Sequence, residues 1–208
     1  MTPFEKKKMD IQGVVASLTK IEHGFKHIML AGNEIYAAKE IDHFQVAIAL
    51  LANEPYQARM LGTYILGLLS PADHRALTAL REVVVRDENW RVQEMLAKAF
   101  DHYCAEIGYE LSLTEINSWL LDPDPKLNRA VIEGLRIWTT RPYFIQCPEV
   151  AVQMISAHKA SESKYLRKSV GNALRDIWKR HPDLVRQEMD NWDLSDPRVR
   201  FTAKLIGR

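Results

Sequence analysis

The segment DENWRVQEMLAKAF, residues 87–100, contains two side chains whose types and spacing could do chemistry. Trp90 and Glu94 are four residues apart, which places an aromatic ring beside a carboxylate on one face of a helix. A carboxylate can stabilise a positive charge that develops on a bound molecule, and an aromatic ring attracts a cation to its π face. The apolar residues of the segment recur at the helical period and predict a buried face: Val92, Met95, Leu96, Ala99 and Phe100.

Trp90 and Glu94 also have a purely structural interpretation. Trp90 could pack against the core where a helix begins, and Glu94 could be a solvated residue that pairs with Lys98, four positions later. In the same way, Arg129 could pair with Glu133. The helical spacing leaves both interpretations open.

The apolar pattern is helical along the whole chain, and its spacing repeats. Ser, Asp or Asn often stands just before Pro or an acidic residue, which is typical of the residue that caps a helix N-terminus. Five apolar positions align at intervals of 34, 35, 39 and 33 residues: Ala58, Val92, Leu127, Leu166 and Val199. This period predicts an all-α, right-handed α-solenoid of HEAT-like or armadillo-like repeats, in which the second helices line a concave binding face. A plain helical bundle is the alternative. The run REVVVRD is expected to continue the helix that precedes it.

We expect a single domain over residues 1–208, with divergent N-terminal helices in 1–44 and repeats in 45–208. The chain is 47% hydrophobic, which suffices for a sizeable core, and it has no run of about 18 apolar residues that would predict a membrane helix. The start, MTPFEKKKMDIQGVV, lacks the apolar segment of a signal peptide. These features indicate a cytoplasmic protein.

The cysteines and histidines predict no metal site. Cys104 and Cys147 lack CxxC spacing, and we expect both to be reduced thiols. His23 and His27 are four residues apart but lack the glutamate of a zincin motif.

Charge is distributed unevenly along the chain. Residues 1–125 contain 12 Lys and Arg against 18 Asp and Glu, a net charge of −6, and residues 126–208 contain 16 against 9, a net charge of +7. The basic part is compatible with a surface that faces phosphates, and equally with a solvated basic face.

The repeat alignment places polar and aromatic side chains at equivalent positions of successive units. The position after the aligned apolar residue is occupied by Arg59, Gln93, Asn128, Arg167 and Arg200. The next position is occupied by Met60, Glu94, Arg129, Lys168 and Phe201, and Tyr56, Trp90 and Lys164 lie one turn upstream. Equivalent positions should form rows across the predicted concave surface.

Three segments resemble the bacterial DNA-alkylation-repair family of HEAT-like alkylpurine DNA glycosylases: HRALTALREVVVRDENWRVQEMLAKAF, DPKLNRAVIEGLRIW and SKYLRKSVGNALRDIWKRHPDLV. The resemblance extends from about Gln45 to the C-terminus and is sharpest in RKSVGNALRDIWKRHPDLV. It implies a DNA repair enzyme, a hydrolase that breaks the N-glycosidic bond of cationic N3- or N7-alkylated purines in duplex DNA.

The resemblance also implies roles for particular residues. Trp90, Glu94 and Arg129 match the family's aromatic wall, its catalytic carboxylate (usually Asp) and an arginine that contacts the DNA backbone. The carboxylate would stabilise an oxocarbenium ion and orient the attacking water. With the rows above, the predicted DNA-binding set is Tyr56, Arg59, Arg129, Lys164, Arg167, Lys168 and Asn172. We expect no metal, no organic cofactor and a monomer.

The chain departs from the family at a second aromatic wall. The family usually supplies a tryptophan directly after the position of Gly171, where this chain has Asn172, and Trp178 lies six residues further on. Two alternatives therefore stand beside the glycosylase: a non-catalytic HEAT-repeat DNA-binding relative and a protein-interaction scaffold. We expect the other tryptophans to lie in the core: Trp119, Trp138, Trp178 and Trp192.

Overall fold

The computed structural model describes residues 10–207, and every regular element in that range is helical. The prediction that the N-terminal segment lacks a signal peptide rests partly on residues 1–9, which lie outside the described residues. Within them, no helix is long and apolar enough to cross a membrane. The thirteen α-helices of the described range are α1 Ile11–Leu18, α2 Lys26–Ala37, α3 His43–Leu51, α4 Tyr56–Leu69, α5 His74–Glu82, α6 Trp90–Ile107, α7 Leu113–Leu120, α8 Pro125–Gly134, α9 Pro142–Gln146, α10 Pro148–Ser156, α11 Lys164–Trp178, α12 Pro182–Met189 and α13 Pro197–Ile206.

The repeat predicted from the sequence agrees in register with the helices of the structure. The second helices of five successive pairs are α4, α6, α8, α11 and α13, and the aligned apolar residue is the third residue of each and is buried. The first helices are α3, α5, α7, α10 and α12. The long interval of 39 residues arises because α9 and a 3₁₀ turn at Trp138–Thr140 are inserted between α8 and α10. The all-α, HEAT-like repeat prediction is confirmed.

Side-chain caps fix where these helices begin. Asp124, Ser163 and Asp196 each accept a hydrogen bond from a backbone N–H two or three residues later, at the starts of α8, α11 and α13. A proline at the first position of α8 and α13 costs no hydrogen bond, because the N–H groups of a first helical turn have no partner within the helix. The turn signals in the sequence therefore mark true helix starts.

The run REVVVRD does not continue its helix. The helix α5 ends at Glu82, and Val84–Arg86 form a 3₁₀ turn. Val84 and Val85 are buried there, so burial rather than helical periodicity accounts for these apolar residues.

The chain divides into two compact units, the first ending at Met95 and the second beginning at Leu96. In the first unit, α2 and α3 pack on α4 around buried Ile28, Ile35 and Leu61. Gly62 allows the close approach of α3 to α4, since a Cβ at that position would lie 2.7 Å from the carbonyl oxygen of Ala47. A single domain over 1–208 stays a prediction.

In the second unit, α8, α10, α12 and α13 all contact α11. Aromatic rings fill much of its core: the ring centroids of Phe100 and Trp119 are 4.3 Å apart, and those of Trp138 and Phe144 are 5.0 Å apart. Trp192 is also buried, whereas Trp178 is only partly buried, so the core prediction is wrong for that residue. Both cysteines are free thiols.

Candidate nucleic-acid interface and catalytic residues

The start of α6 is fixed by a chain of side-chain hydrogen bonds in the first unit. Asp87 accepts from the backbone N–H of Asn89 at 2.8 Å and from Nε of Arg59 at 2.5 Å. Asn89 in turn caps the helix by accepting from the N–H of Arg91 at 2.9 Å. This geometry makes Trp90 the first helical residue and leaves its side chain 52% exposed. Trp90 is therefore not a buried residue of the core.

Glu94 lies one turn further along α6. It is partly exposed, while its neighbours Gln93 and Met95 are buried. Residues four apart lie on one helical face, so Glu94 is on the same side of α6 as Trp90. A catalytic role for Glu94 stays a prediction.

The ring of Trp90 already has a cationic neighbour. The guanidinium carbon of Arg91 lies 4.6 Å from the ring centroid of Trp90 and 4.9 Å from that of Tyr56. An Nη of Arg91 is also 3.2 Å from Nδ1 of His23, and the Tyr56 hydroxyl donates to the carbonyl of Glu22 at 2.5 Å. Arg91 is not among the predicted site residues, since the sequence places it only beside Trp90.

The row at the fourth position of each second helix is structural in four of the five repeats. Its side chains donate to backbone carbonyls where the preceding helix or loop ends. The amide nitrogen of Asn128 lies within 3.0 Å of three such carbonyls, and that of Gln93 lies 2.8 Å from the carbonyl of Asp87. Arg59 and Arg167 donate to carbonyls in the same way, at Asn53 and Glu162 respectively. A buried carbonyl without a donor costs about 1–3 kcal/mol. In these four repeats the row therefore joins the second helix to the segment that precedes it.

These contacts bear on two predicted DNA-binding residues. Arg59 is occupied by Asp87 and by backbone carbonyls, and Arg167 by backbone carbonyls and by a ring contact with Phe201 at 5.3 Å. The structure shows a local structural role for both guanidinium groups. DNA binding by either one stays a prediction.

The second unit has a basic surface along the first turns of α11. Lys164, Tyr165 and Lys168 are exposed, with Tyr165 at 59%. The guanidinium carbon of Arg129 lies 4.9 Å from the ring centroid of Tyr165, and Nζ of Lys164 lies 5.7 Å from that of Phe201. Exposed lysines, and an arginine that stacks on an aromatic ring, can bind phosphates without reading base sequence.

A comparison of the sequence with protein-family models identifies the family of this chain. Residues 31–200 match the family model described as DNA alkylation repair enzyme. The chain belongs to the DNA alkylation repair enzyme family.

Solved structures agree with this assignment. AlkD2 from Streptococcus mutans is 42% identical, with a TM-score of 0.90, and the alignment covers 95% of this chain and 97% of that one. The protein smu.31 from Streptococcus mutans UA159 is 41% identical with a TM-score of 0.86 over the same shares. The alkylpurine DNA glycosylase AlkC from Pseudomonas fluorescens, bound to DNA containing an abasic site analog, has a TM-score of 0.71 at 22% identity, over 94% of this chain and 55% of that one. The AlkC likeness is one of fold.

A curated relative shares a shorter region. The uncharacterized protein YhaZ from Bacillus subtilis is 29% identical over 102 residues, which are 47% of this chain and 29% of that protein. The matched region is thus under a third of the length of that relative.

Asn172 stands at the position where the family resemblance leads us to expect a second tryptophan, and its role stays a prediction. Asn172 is partly exposed on α11, eight residues after Lys164. Trp178 lies six residues further along, and six residues turn a helix by about 240°, so its ring points to a different side of α11 from Asn172.

Two ion-pair networks of the second unit were missed from the sequence. Buried Asp176 accepts from Nε of Arg136 at 2.7 Å and from Nζ of Lys179 at 2.8 Å. Burial acts to raise its pKa, but the hydrogen bonds from Lys179 and Arg136 hold the pKa of Asp176 below its usual range. Asp101 accepts from Arg141 at 2.7 Å, and burial raises the pKa of this carboxyl. Partners 40 residues apart leave no local sequence signal.

Proposed function

We propose that this member of the family is a DNA glycosylase-like repair enzyme, acting in the cytoplasm on cationic N3- or N7-alkylated purines in duplex DNA. The observation that carries the proposal is the pair one turn apart at the start of α6, exposed Trp90 and partly exposed Glu94. Family membership supports it, as does the near full-length likeness to AlkD2.

The proposed reaction is hydrolysis at the sugar. An alkylated purine has a formal positive charge, so it leaves as a neutral base and takes both electrons of the C1′–N bond. The sugar develops oxocarbenium character, which the carboxylate of Glu94 stabilises electrostatically. Water orientated by Glu94 attacks C1′ and loses one proton to the solvent, giving an abasic site beside the neutral free base. A leaving group that is already cationic needs no metal or organic cofactor.

Base release is the test of this proposal. Purified protein should release 7-methylguanine or 3-methyladenine from duplex DNA treated with a methylating agent, measured by chromatography of the free bases. A folded protein that releases neither base would contradict a glycosylase function.

We propose that the basic residues of the second unit hold the DNA backbone. Lys164 and Lys168 are exposed, and Arg129 lies on the ring of Tyr165. Phosphate contacts of this kind give an affinity that falls with salt concentration, because each one releases counterions. Asn172 and Tyr56 stay in the proposed DNA-binding set with the residues named above.

Removing two of these charges should weaken DNA binding regardless of sequence. The double variant Arg129→Ala/Lys168→Ala should bind a duplex at least tenfold more weakly and lower the slope of log affinity against log salt by about 2. Fluorescence anisotropy at several salt concentrations measures both. Lys39→Ala, an exposed lysine outside the proposed set, is the control and should bind as the wild type does. An unchanged slope in the double variant would remove the proposed phosphate contacts.

A second candidate function is DNA binding without base release. It is favoured by one observation, the guanidinium of Arg91 over the rings of Trp90 and Tyr56, where a cationic base would otherwise stack. This candidate predicts salt-dependent DNA affinity with no free base from any alkylated substrate. Release of either methylated purine above the level of a protein-free sample would exclude it.

A further inference from the structure

In the second unit, cations of one second helix lie on an aromatic ring of the next one at two places. The guanidinium carbon of Arg129, on α8, is 4.9 Å from the ring centroid of Tyr165, on α11. On α11 itself, Nζ of Lys164 and the guanidinium carbon of Arg167 are 5.7 and 5.3 Å from the ring centroid of Phe201, on α13. Cation–π contacts therefore join α8 to α11 and α11 to α13.

The ring of Tyr165 is not part of the core. Tyr165 is 59% exposed, whereas Trp119 and Trp138 in the same unit are fully buried. An exposed ring adds little to stability by burial, because most of its apolar surface remains in water. Its ring contacts Arg129, which belongs to the proposed DNA-binding set. These observations place the ring in the basic surface.

An arginine can stack on a ring and bind a phosphate at the same time. The face of the planar guanidinium is attracted by the ring, while the N–H groups at its edge can donate to phosphate oxygens. A long side chain loses the freedom of several rotatable bonds when it binds, and a side chain that is already held loses less. A ring beneath an arginine can thus strengthen DNA binding without touching the DNA.

We propose that Tyr165 is a positioning residue, which holds Arg129 in the orientation that binds a DNA phosphate. The ring acts through the guanidinium and not through a contact of its own with the DNA. The inference rests on the proposed function, in which Arg129 contacts the DNA backbone.

A double-mutant cycle on duplex affinity tests this role. Tyr165→Leu should bind an unmodified duplex about 2- to 5-fold more weakly than the wild type, as expected for an exposed cation–π contact. Tyr165→Phe keeps the ring and should bind as the wild type does. In the Arg129→Ala background, Tyr165→Leu should cause no further loss, because the cation that the ring holds is gone. Fluorescence anisotropy at one low salt concentration measures all four affinities.

Phe44→Leu is the matched control. The ring centroid of Phe44 lies 4.5 Å from the guanidinium carbon of Arg75 in the first unit, so this variant removes a cation–π contact outside the proposed DNA-binding set. It should bind the duplex as the wild type does. Thermal unfolding checks that each variant is folded, and Arg129→Met, which keeps an apolar stem, is a second background without the charge.

Two results would overturn the positioning role. One is wild-type affinity in Tyr165→Leu. The other is a loss with Tyr165→Leu that persists in full in both Arg129 backgrounds, which would mean that the ring contacts the DNA itself.

The outcome for Tyr165 is separable from the outcome for glycosylase activity. Coupling between Tyr165 and Arg129 without base release supports the positioning role and removes the glycosylase. Base release with additive losses in the cycle supports the glycosylase and removes the positioning role. Wild-type affinity in Arg129→Ala would remove the proposed phosphate contact of Arg129 and the positioning role together.

Discussion

Replacing Glu94 with Gln is expected to slow base release from methylated DNA by a factor of about 100 or more while leaving DNA affinity unchanged. The amide has nearly the shape of the carboxylate but no charge, so it loses the electrostatic stabilisation of the oxocarbenium ion. Single-turnover release of 7-methylguanine measures the effect, because multiple turnover would include the slow departure of the product DNA.

Two further variants make this experiment specific to Glu94. Glu106→Gln makes the same change at an exposed position of the same helix and should release base at the wild-type rate. Glu94→Asp restores the family's usual acid with a shorter reach, and it should retain far more activity than the amide. Release by Glu94→Gln at the wild-type rate would remove Glu94 from the mechanism.

Replacing Gly134 with Ala should destabilise the second unit by about 3 kcal/mol, at the upper end of the usual cost of overpacking a core. Gly134 is the last residue of α8, and a Cβ there would lie 2.4 Å from the carbonyl oxygen of Ala97 in α6. That atom is part of the helix backbone, so it cannot move aside as a flexible side chain could. Arg141 also donates to the carbonyl of Gly134 at 3.3 Å, and a shift of α8 would disturb this contact.

Thermal unfolding measures the cost of Gly134→Ala, and a loss of this size should lower Tm by roughly 6–12 °C for a chain of this length. Gly207→Ala is the control, since a Cβ there would meet no atom within 4 Å and the backbone is not in the left-handed region. A Tm for Gly134→Ala within a degree or two of that of Gly207→Ala would mean that α6 and α8 are not in such close contact.

The repeat was predictable because it rests on local signals. A capping side chain begins four of the five second helices, a proline stands at or just before the start of three, and an apolar third residue recurs in all five. Each of these signals acts within one helical turn. The alignment on Val92, Leu127 and Leu166 therefore gave helix starts that agree with the structure. The 3₁₀ turn at Val84–Arg86 was missed, because the two buried residues Val84 and Val85 fit the apolar pattern of a continued helix as well as that of a turn.

The site was less predictable than the fold, since its contacts join distant residues. The sequence placed Trp90 and Glu94 on one helical face, but it gave no sign that Tyr56 and His23, 35 and 68 residues from Arg91, would hold a guanidinium against that face. The sequence also grouped Arg59 and Arg167 with the DNA-binding residues. An arginine side chain that donates to backbone carbonyls has the same sequence pattern as one that faces solvent.

The central claim is that this chain removes alkylated purines from DNA, and a time course of free 7-methylguanine and 3-methyladenine from a methylated duplex tests it most directly. With protein in excess over DNA and Glu94→Gln run beside the wild type, the wild type should release at least one of the two bases with single-exponential kinetics, well above the variant. Equal release by the wild type, Glu94→Gln and a protein-free sample, from a wild type that is folded and binds the same duplex, would contradict the claim.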